Sequence, residues 1–233
     1  MSLVREADIV SDATAPEPKA PSVHPLYSPR QRRLGRRFNN FLVYRTIRRA
    51  IRDCQAQPPV LMAPCGYGWF FNRFQKDGIE IVGIDIDAQA VADARTAVAP
   101  APRVYQGNLL ELPFKDREFD FVVNNRFMLH FDADFRAKAF KELSRVTRRY
   151  LLVHYDHPLS VRQFMRKLRG VRKPQRDIAH IEGWRKTQRE KRKLLFNREA
   201  MAREAAPAGF RIKRLYFVCY LMSDRVYCLY EKT

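Results

Sequence analysis

Short apolar runs alternate with stretches of helical periodicity from about residue 59 to residue 156, and this alternation predicts successive βα units with a largely parallel sheet. Residues 60–63, 79–84, 103–105, 119–123 and 150–154 read as strands. Residues 69–76, 88–98 and 134–146 carry apolar positions three and four apart and read as helices. A further helix is expected over 198–205, stopping before Pro207 and Gly209. Residues 210–221 and 225–230 read as two long strands of a closing hairpin. The expected fold is therefore α/β and Rossmann-like: a doubly wound, mostly parallel seven-stranded sheet with a C-terminal antiparallel hairpin.

The flanks follow other patterns. Residues 1–27 hold Pro16, Pro18, Pro21 and Pro25 among small and polar side chains, too little apolar surface to fold, and are expected to form a disordered tail. In residues 28–56 the apolar positions Leu34, Phe38, Phe41, Leu42, Ile47 and Ile51 lie among arginines at near-helical spacing, predicting one or two basic amphipathic helices. The remaining domain, 57–233, is interrupted at 158–196 by a strongly basic helical insertion.

Composition adds the sign of the partners. The chain has 233 residues, 44 Lys and Arg against 25 Asp and Glu, and a formal net charge of +19. That excess points to anionic ligands or surfaces: nucleic acid, phosphorylated substrates or anionic membrane. Residues 28–53 hold nine Arg and one acid, and residues 162–214 hold eighteen basic and five acidic residues, so the central domain is close to neutral. In residues 160–176 Phe164, Met165, Leu168 and Val171 interleave with Arg162, Arg166, Lys167, Arg169, Arg172 and Lys173, a pattern suited to a membrane interface or a phosphate-rich ligand. Trp184 beside Arg185 and Lys186 is suited to stacking on a base.

Cys54, Cys65, Cys219 and Cys228 are far apart, with no zinc-ligand spacing. Cys219 and Cys228 are placed to face each other across the hairpin, but thiols are expected to stay reduced. No run reaches the roughly 20 apolar residues that span a bilayer. A cytoplasmic protein, peripheral at most to the inner membrane face, is the expectation.

The first strand runs into Pro64-Cys65-Gly66-Tyr67-Gly68, where the chain must turn into a helix. Glycine there lets backbone approach a ligand, and a helix start offers unpaired N–H groups to an anion. Asp85 closes the next strand seventeen positions after Gly68, where an acid reaches ribose hydroxyls. Asp87 is the better cap for the helix that follows, which frees Asp85 for a ligand.

These segments resemble the motifs of class I S-adenosylmethionine-dependent methyltransferases, in that family's order. Residues 60–68 resemble its glycine-rich first motif, and Ile84-Asp85-Ile86-Asp87 its acidic ribose motif. Residues 107–114 and 118–123 resemble the third and fourth motifs, and Glu142-Leu143-Ser144-Arg145-Val146 the helix before strand five. The resemblance implies S-adenosylmethionine as cofactor, held by Cys65, Gly66, Tyr67, Gly68, Asp85, Ile86, Asn108, Leu109 and Asn124. Asn108 and the Leu109 N–H would meet the adenine, and Asn124 the methionine portion. Met62 stands where the family commonly has an acid and Pro64 where it has a first glycine, so cofactor affinity is the property these two departures touch.

Methyl transfer needs alignment above all, and a general base only for some nucleophiles. Ligands of doubly wound sheets sit beyond the carboxyl ends of the strands, which brings residues 124–130 and the His154-Tyr155-Asp156-His157 cluster near the reaction. His154, Tyr155, His157 and His130 are the candidate catalytic residues, a histidine as hydroxyl base with Asp156 to orient it. The bland alternatives are a packed core histidine at His130 and self-satisfied loop residues in the cluster. No metal is expected.

The favoured reading is methylation at oxygen or carbon of a small or lipid-linked anionic acceptor near the cytoplasmic membrane face. One alternative is an RNA methyltransferase gripping phosphates with its arginine-rich flanks. A second, suggested by Met62 and Pro64, is a non-catalytic adapter that kept the fold.

Overall fold

Val60, Leu61 and Met62, Phe121, Val122 and Val123, and Leu151, Leu152 and Val153 are all buried, as strands covered by helices on both faces require. The computed structural model describes residues 34–156, 197–219, 223 and 225–233, all within the unit Arg33–Thr233. The expected tail over 1–27, the insertion at 158–196, His157 and the turn residues Met222 and Asp224 lie outside the described residues.

Seven strands form one sheet: β1 (Val60–Met62), β2 (Ile81–Asp85), β3 (Arg103–Gln106), β4 (Phe119–Asn124), β5 (Thr147–Asp156), β6 (Phe210–Phe217) and β7 (Arg225–Lys232). Their spatial order is β3-β2-β1-β4-β5-β7-β6, with β7 the one antiparallel strand. Helices α1 (Leu34–Asp53), α2 (Phe71–Lys76) and α3 (Ala88–Thr96) bury Ile47, Phe74 and Ala94 against one face. Helices α4 (Ala133–Val146) and α5 (Arg198–Ala205) bury Phe140, Leu143 and Met201 against the other.

The pattern of apolar residues set these elements, and local polar chemistry sets their ends. Asp87 starts α3, its carboxylate accepting from the Gln89 and Ala90 N–H groups at 2.9 and 3.3 Å. Asp132 caps α4 through the Phe135 N–H at 2.9 Å. At the opposite end of the sheet from the strand ends that carry the site, Asp120 is buried in a fork with Arg149, at 2.6 and 2.5 Å, and accepts from the Gln57 N–H at 2.8 Å. Burial alone would raise its carboxyl; the Arg149 hydrogen bonds outweigh that and hold it below the usual range.

Three expectations need correction. Strand β5 spans ten residues rather than five, because Arg149 reaches Asp120 and lets a charged pair extend the strand toward the core. Strand β6 ends at Phe217, four residues short of the expected end. Cys219 therefore lies beyond the strand, and a bulge between Ile212 and Arg214 sets the register so that Cys228 faces Leu215; both cysteines are free thiols. In the described part of residues 28–56 there is a single 20-residue helix.

Candidate active site

The loop after β1 lies between the ends of β1 and β2. Gly66 and Gly68 both have positive φ, +54° and +65°. They differ in surroundings: a methyl on Gly66 would meet nothing within 4 Å, whereas one on Gly68 would lie 3.1 Å from the Ala94 backbone. Gly68 thus serves close packing of the loop on α3, and Gly66 leaves open space above the turn. Cys65 is buried beneath, its thiol pushed up to about 12 by burial and then by the nearby Asp85. It is therefore an uncharged packing group and no nucleophile. Tyr67 is half-buried in the same turn.

Asp85 ends β2 and ties this loop down. Its carboxylate accepts from the Gly66 N–H at 2.8 Å and from the Asp87 N–H at 3.1 Å. Burial raises its carboxyl above the ordinary value despite those backbone donors. A carboxylate has roughly four acceptor sites, so these backbone donors leave capacity for a further donor. The next side chain, Ile86, is 58% exposed, an apolar face with no protein covering it. Leu109 is buried, and Asn108 is exposed with its amide oxygen accepting from the Leu110 N–H at 3.0 Å.

Asn124 closes β4 at the centre of the sheet. Its amide donates to the Ala63 carbonyl at 2.7 Å and so pins β4 to the end of β1. The side chain is fully buried, yet its Oδ1 has no hydrogen-bond partner among the described residues. Met62, the residue in the place of the family's acid, is buried in the core under α1 and α2 and presents no group to a ligand.

The three chain segments at the ends of β4, β5 and β7 lie side by side. His154 is cross-strand partner to Tyr227, and Asp156 to Arg225. The Tyr227 hydroxyl donates to the Asn125 amide oxygen at 2.6 Å, spanning β5, with its ring 5.2 Å from the His154 ring. His154 is 2% exposed, both ring nitrogens lack hydrogen-bond partners among the described residues, and Asp156 is 3.9 Å away, beyond hydrogen-bond reach. Burial first, then the charges of Arg225, Arg126 and His130, hold its imidazole well below the usual value, so it is neutral.

Tyr155 points into the opposite core, where its hydroxyl is paired with that of Tyr230 at 2.8 Å and its ionisation is suppressed by burial. Alternation along β5 places it away from the side that holds His154. Of the candidate bases, His130 alone among the described residues is partly exposed, at the end of a short 3-10 helix (Met128–His130). Beside it Phe127, Phe131 and Phe135 form a half-buried aromatic wall, two of its rings stacked 3.9 Å apart. Arg126 is exposed and strained at φ +58°, a conformation held by surrounding structure and concentrated at functional positions.

Sequence reasoning missed Arg225 and Tyr227; Asn125 and Arg126 fall within residues 124–130, which it placed near the reaction without giving either a role. Arg225 and Tyr227 come from a strand about 100 residues beyond Asn125, and their placement required knowing that β7 pairs antiparallel with β5.

Residues 61–150 match the family model described as a methyltransferase domain. A probable S-adenosylmethionine-dependent methyltransferase of Mycobacterium tuberculosis is 35% identical over 89 residues, 38% of this chain and 31% of that protein. An uncharacterised protein of Haemophilus influenzae is 30% identical over 126 residues, 48% of this chain and 50% of that protein. The chain thus spans half or less of the length of these relatives. Among solved structures, magnesium protoporphyrin IX methyltransferase from Synechocystis with bound SAH has a TM-score of 0.60 at 14% identity, covering 84% of both chains. The PH0226 protein of Pyrococcus horikoshii has a TM-score of 0.63 at 19% identity, covering 91% of this chain and 97% of that one. Sheet order and ordered motifs agree with that match: residues 61–150 are similar to a methyltransferase domain, and the sheet has the fold of the class I methyltransferases.

Proposed function

We propose that the protein transfers the methyl group of S-adenosylmethionine to an oxygen or carbon atom of a small or lipid-linked anionic acceptor. The observation that carries the cofactor part is the orphaned Oδ1 of Asn124. It is a buried acceptor with no donor among the described residues, at the strand end where the cofactor's methionine ammonium would lie, in a chain whose usual acid is replaced by the buried Met62. A buried acceptor left unpaired is costly, and a cationic donor removes that cost.

The other residues fit the same group. Asp85 has acceptor capacity for the ribose, Ile86 an exposed face for the adenine ring, and Gly66 open space for backbone contact. Asn108 and Leu109 remain suited to the adenine edge. When bound, S-adenosylmethionine supplies an electrophilic methyl group on a sulfonium. The chain's own contribution is to hold the acceptor in line with it, which alone accounts for much of the acceleration in such transfers.

Arg126 supports an anionic acceptor and the half-buried Phe127 and Phe131 an apolar body beside it. His130 is the best placed hydroxyl base, since it reaches solvent where His154 does not. The first test is calorimetric titration of the full chain with S-adenosylhomocysteine. One-to-one binding is expected, weakened about 10- to 100-fold by Asp85→Ala through loss of hydrogen bonds to a charged acceptor. Absence of binding by the parent chain would sink this reading and favour the non-catalytic adapter.

A further inference from the structure

Helix α1 carries two kinds of charged surface. Toward its C-terminal end two arginines face acids: Arg48 pairs with Asp77 at 2.6 Å, and Arg49 lies 3.8 Å from Asp53, which Arg214 of β6 also pairs at 3.0 Å. Toward its N-terminal end the surface is aromatic and its cations are in no ion pair among the described residues. Phe38 is 63% exposed and Phe41 38%. With Arg45 they are spaced three and four residues apart and share one helix face.

The face continues onto α2. Arg45 lies 5.8 Å and Arg73 5.5 Å from the centre of the Phe41 ring. Trp69, one turn before Arg73, is 46% exposed. A single exposed aromatic residue is ordinary, but two on one helix face with unneutralised arginines, and a third in the turn that leads into the neighbouring helix, are not. The stripe also has a fixed position. Trp69 directly follows the glycine loop, and the Asn39 amide, beside Phe38, lies against the Arg225 guanidinium at the carboxyl edge of the sheet, where exchange of its oxygen and nitrogen lets it accept from that group. It therefore flanks the mouth of the candidate active site. The ten residues 28–37 that lead into it add five arginines and no acid.

We propose that this stripe seats the protein on an anionic lipid bilayer, with Phe38, Phe41 and Trp69 in the headgroup region and Arg45 and Arg73 on lipid phosphates. Aromatic rings in the interface plane and cations against anionic headgroups are complementary to such a surface. No described helix is long and apolar enough to cross a membrane, so the attachment is peripheral. Resting on the methyltransferase reading, this placement assigns the acceptor to the membrane: an anionic amphiphile whose head enters the site while its tail stays in the lipid.

The chain has two tryptophans, Trp69 and Trp184, so the full chain with Trp184→Phe reports on Trp69 alone. Mixed with vesicles of phosphatidylcholine and phosphatidylglycerol, Trp69 emission should shift to the blue and be quenched by brominated acyl chains, whereas pure phosphatidylcholine should leave it unchanged. Adding Phe38→Ala and Phe41→Ala should weaken vesicle binding about tenfold or more, as loss of interfacial apolar area does. S-adenosylhomocysteine titration without vesicles should be unaltered by that pair, which shows the fold intact. Sedimentation with vesicles while Trp69 emission stays fixed would overturn the proposal, and so would Trp69 quenching by RNA with no response to vesicles. Failure of S-adenosylhomocysteine binding in the parent chain strikes the methyltransferase reading separately and leaves the docking result interpretable.

Discussion

Asn124 and His154 are buried polar side chains with unsatisfied atoms, and they make opposite predictions. The Asn124 Oδ1 awaits a donor, so Asn124→Ala should weaken S-adenosylhomocysteine binding about tenfold or more, within the range for a hydrogen bond to a charged group. Binding of methylthioadenosine, which has no ammonium, should change little; equal losses for the two ligands would refute the assignment. His154 instead reports on stability. The unfolded chain takes up its proton below about pH 6.5, while the folded chain holds the imidazole neutral through burial and the charges of Arg225, Arg126 and His130. Stability from this residue is therefore complete above that pH and is lost as the pH falls, by at most about 1.4 kcal/mol per pH unit. Urea midpoints between pH 7.5 and 5.5 should show that slope, and His154→Phe should flatten it.

At the scale of elements, polar side chains lock the sheet's joints. Arg145 of α4 donates to the Leu112 and Phe114 carbonyls at 2.8 and 2.7 Å, and Glu142 accepts from the Leu112 N–H at 2.7 Å. This explains why residues 107–114, read in the sequence as a motif, hold a fixed path with little regular structure of their own. Arg136 of α4 pairs with Glu204 and so joins α4 to α5. Asp120 plays the same part between β4, the start of β5 and Gln57, three residues before β1. Asp120→Ala removes a buried carboxylate from Arg149 and leaves the Gln57 N–H unpaired, and should cost about 2–4 kcal/mol. Chemical denaturation of the variant checks this, and S-adenosylhomocysteine affinity in native conditions should hold, since the site lies at the other end of the strands.

For the molecule as a whole, the charge is divided by function. The sheet and its ligand loops form a near-neutral core, and the excess of arginine lies on and before α1 and in residues 162–214. Binding to anionic vesicles should fall by an order of magnitude or so when ionic strength rises from about 0.05 to 0.5 M, because exposed charges are screened over about a Debye length. Salt-independent binding measured by the same Trp69 signal would contradict an electrostatic contribution from Arg45 and Arg73.

The amino-acid sequence determined the order of strands and helices, because burial on two faces writes continuous apolar runs at residues 60–62, 119–123 and 150–153 and helical periodicity between them. It also determined the glycine turn, the Asp87 cap and the release of Asp85, all of which depend on neighbours within a few residues. Tertiary structure alone decided which groups meet at the site. Antiparallel pairing of β7 with β5 brings Tyr227 and Arg225 to His154, side-chain alternation sends Tyr155 into the opposite core, and the packing of α1 beside α2 lays Arg73 over the Phe41 ring. Those contacts are long-range, and hydrophobic periodicity carries no information about which distant strand or helix a given face will find.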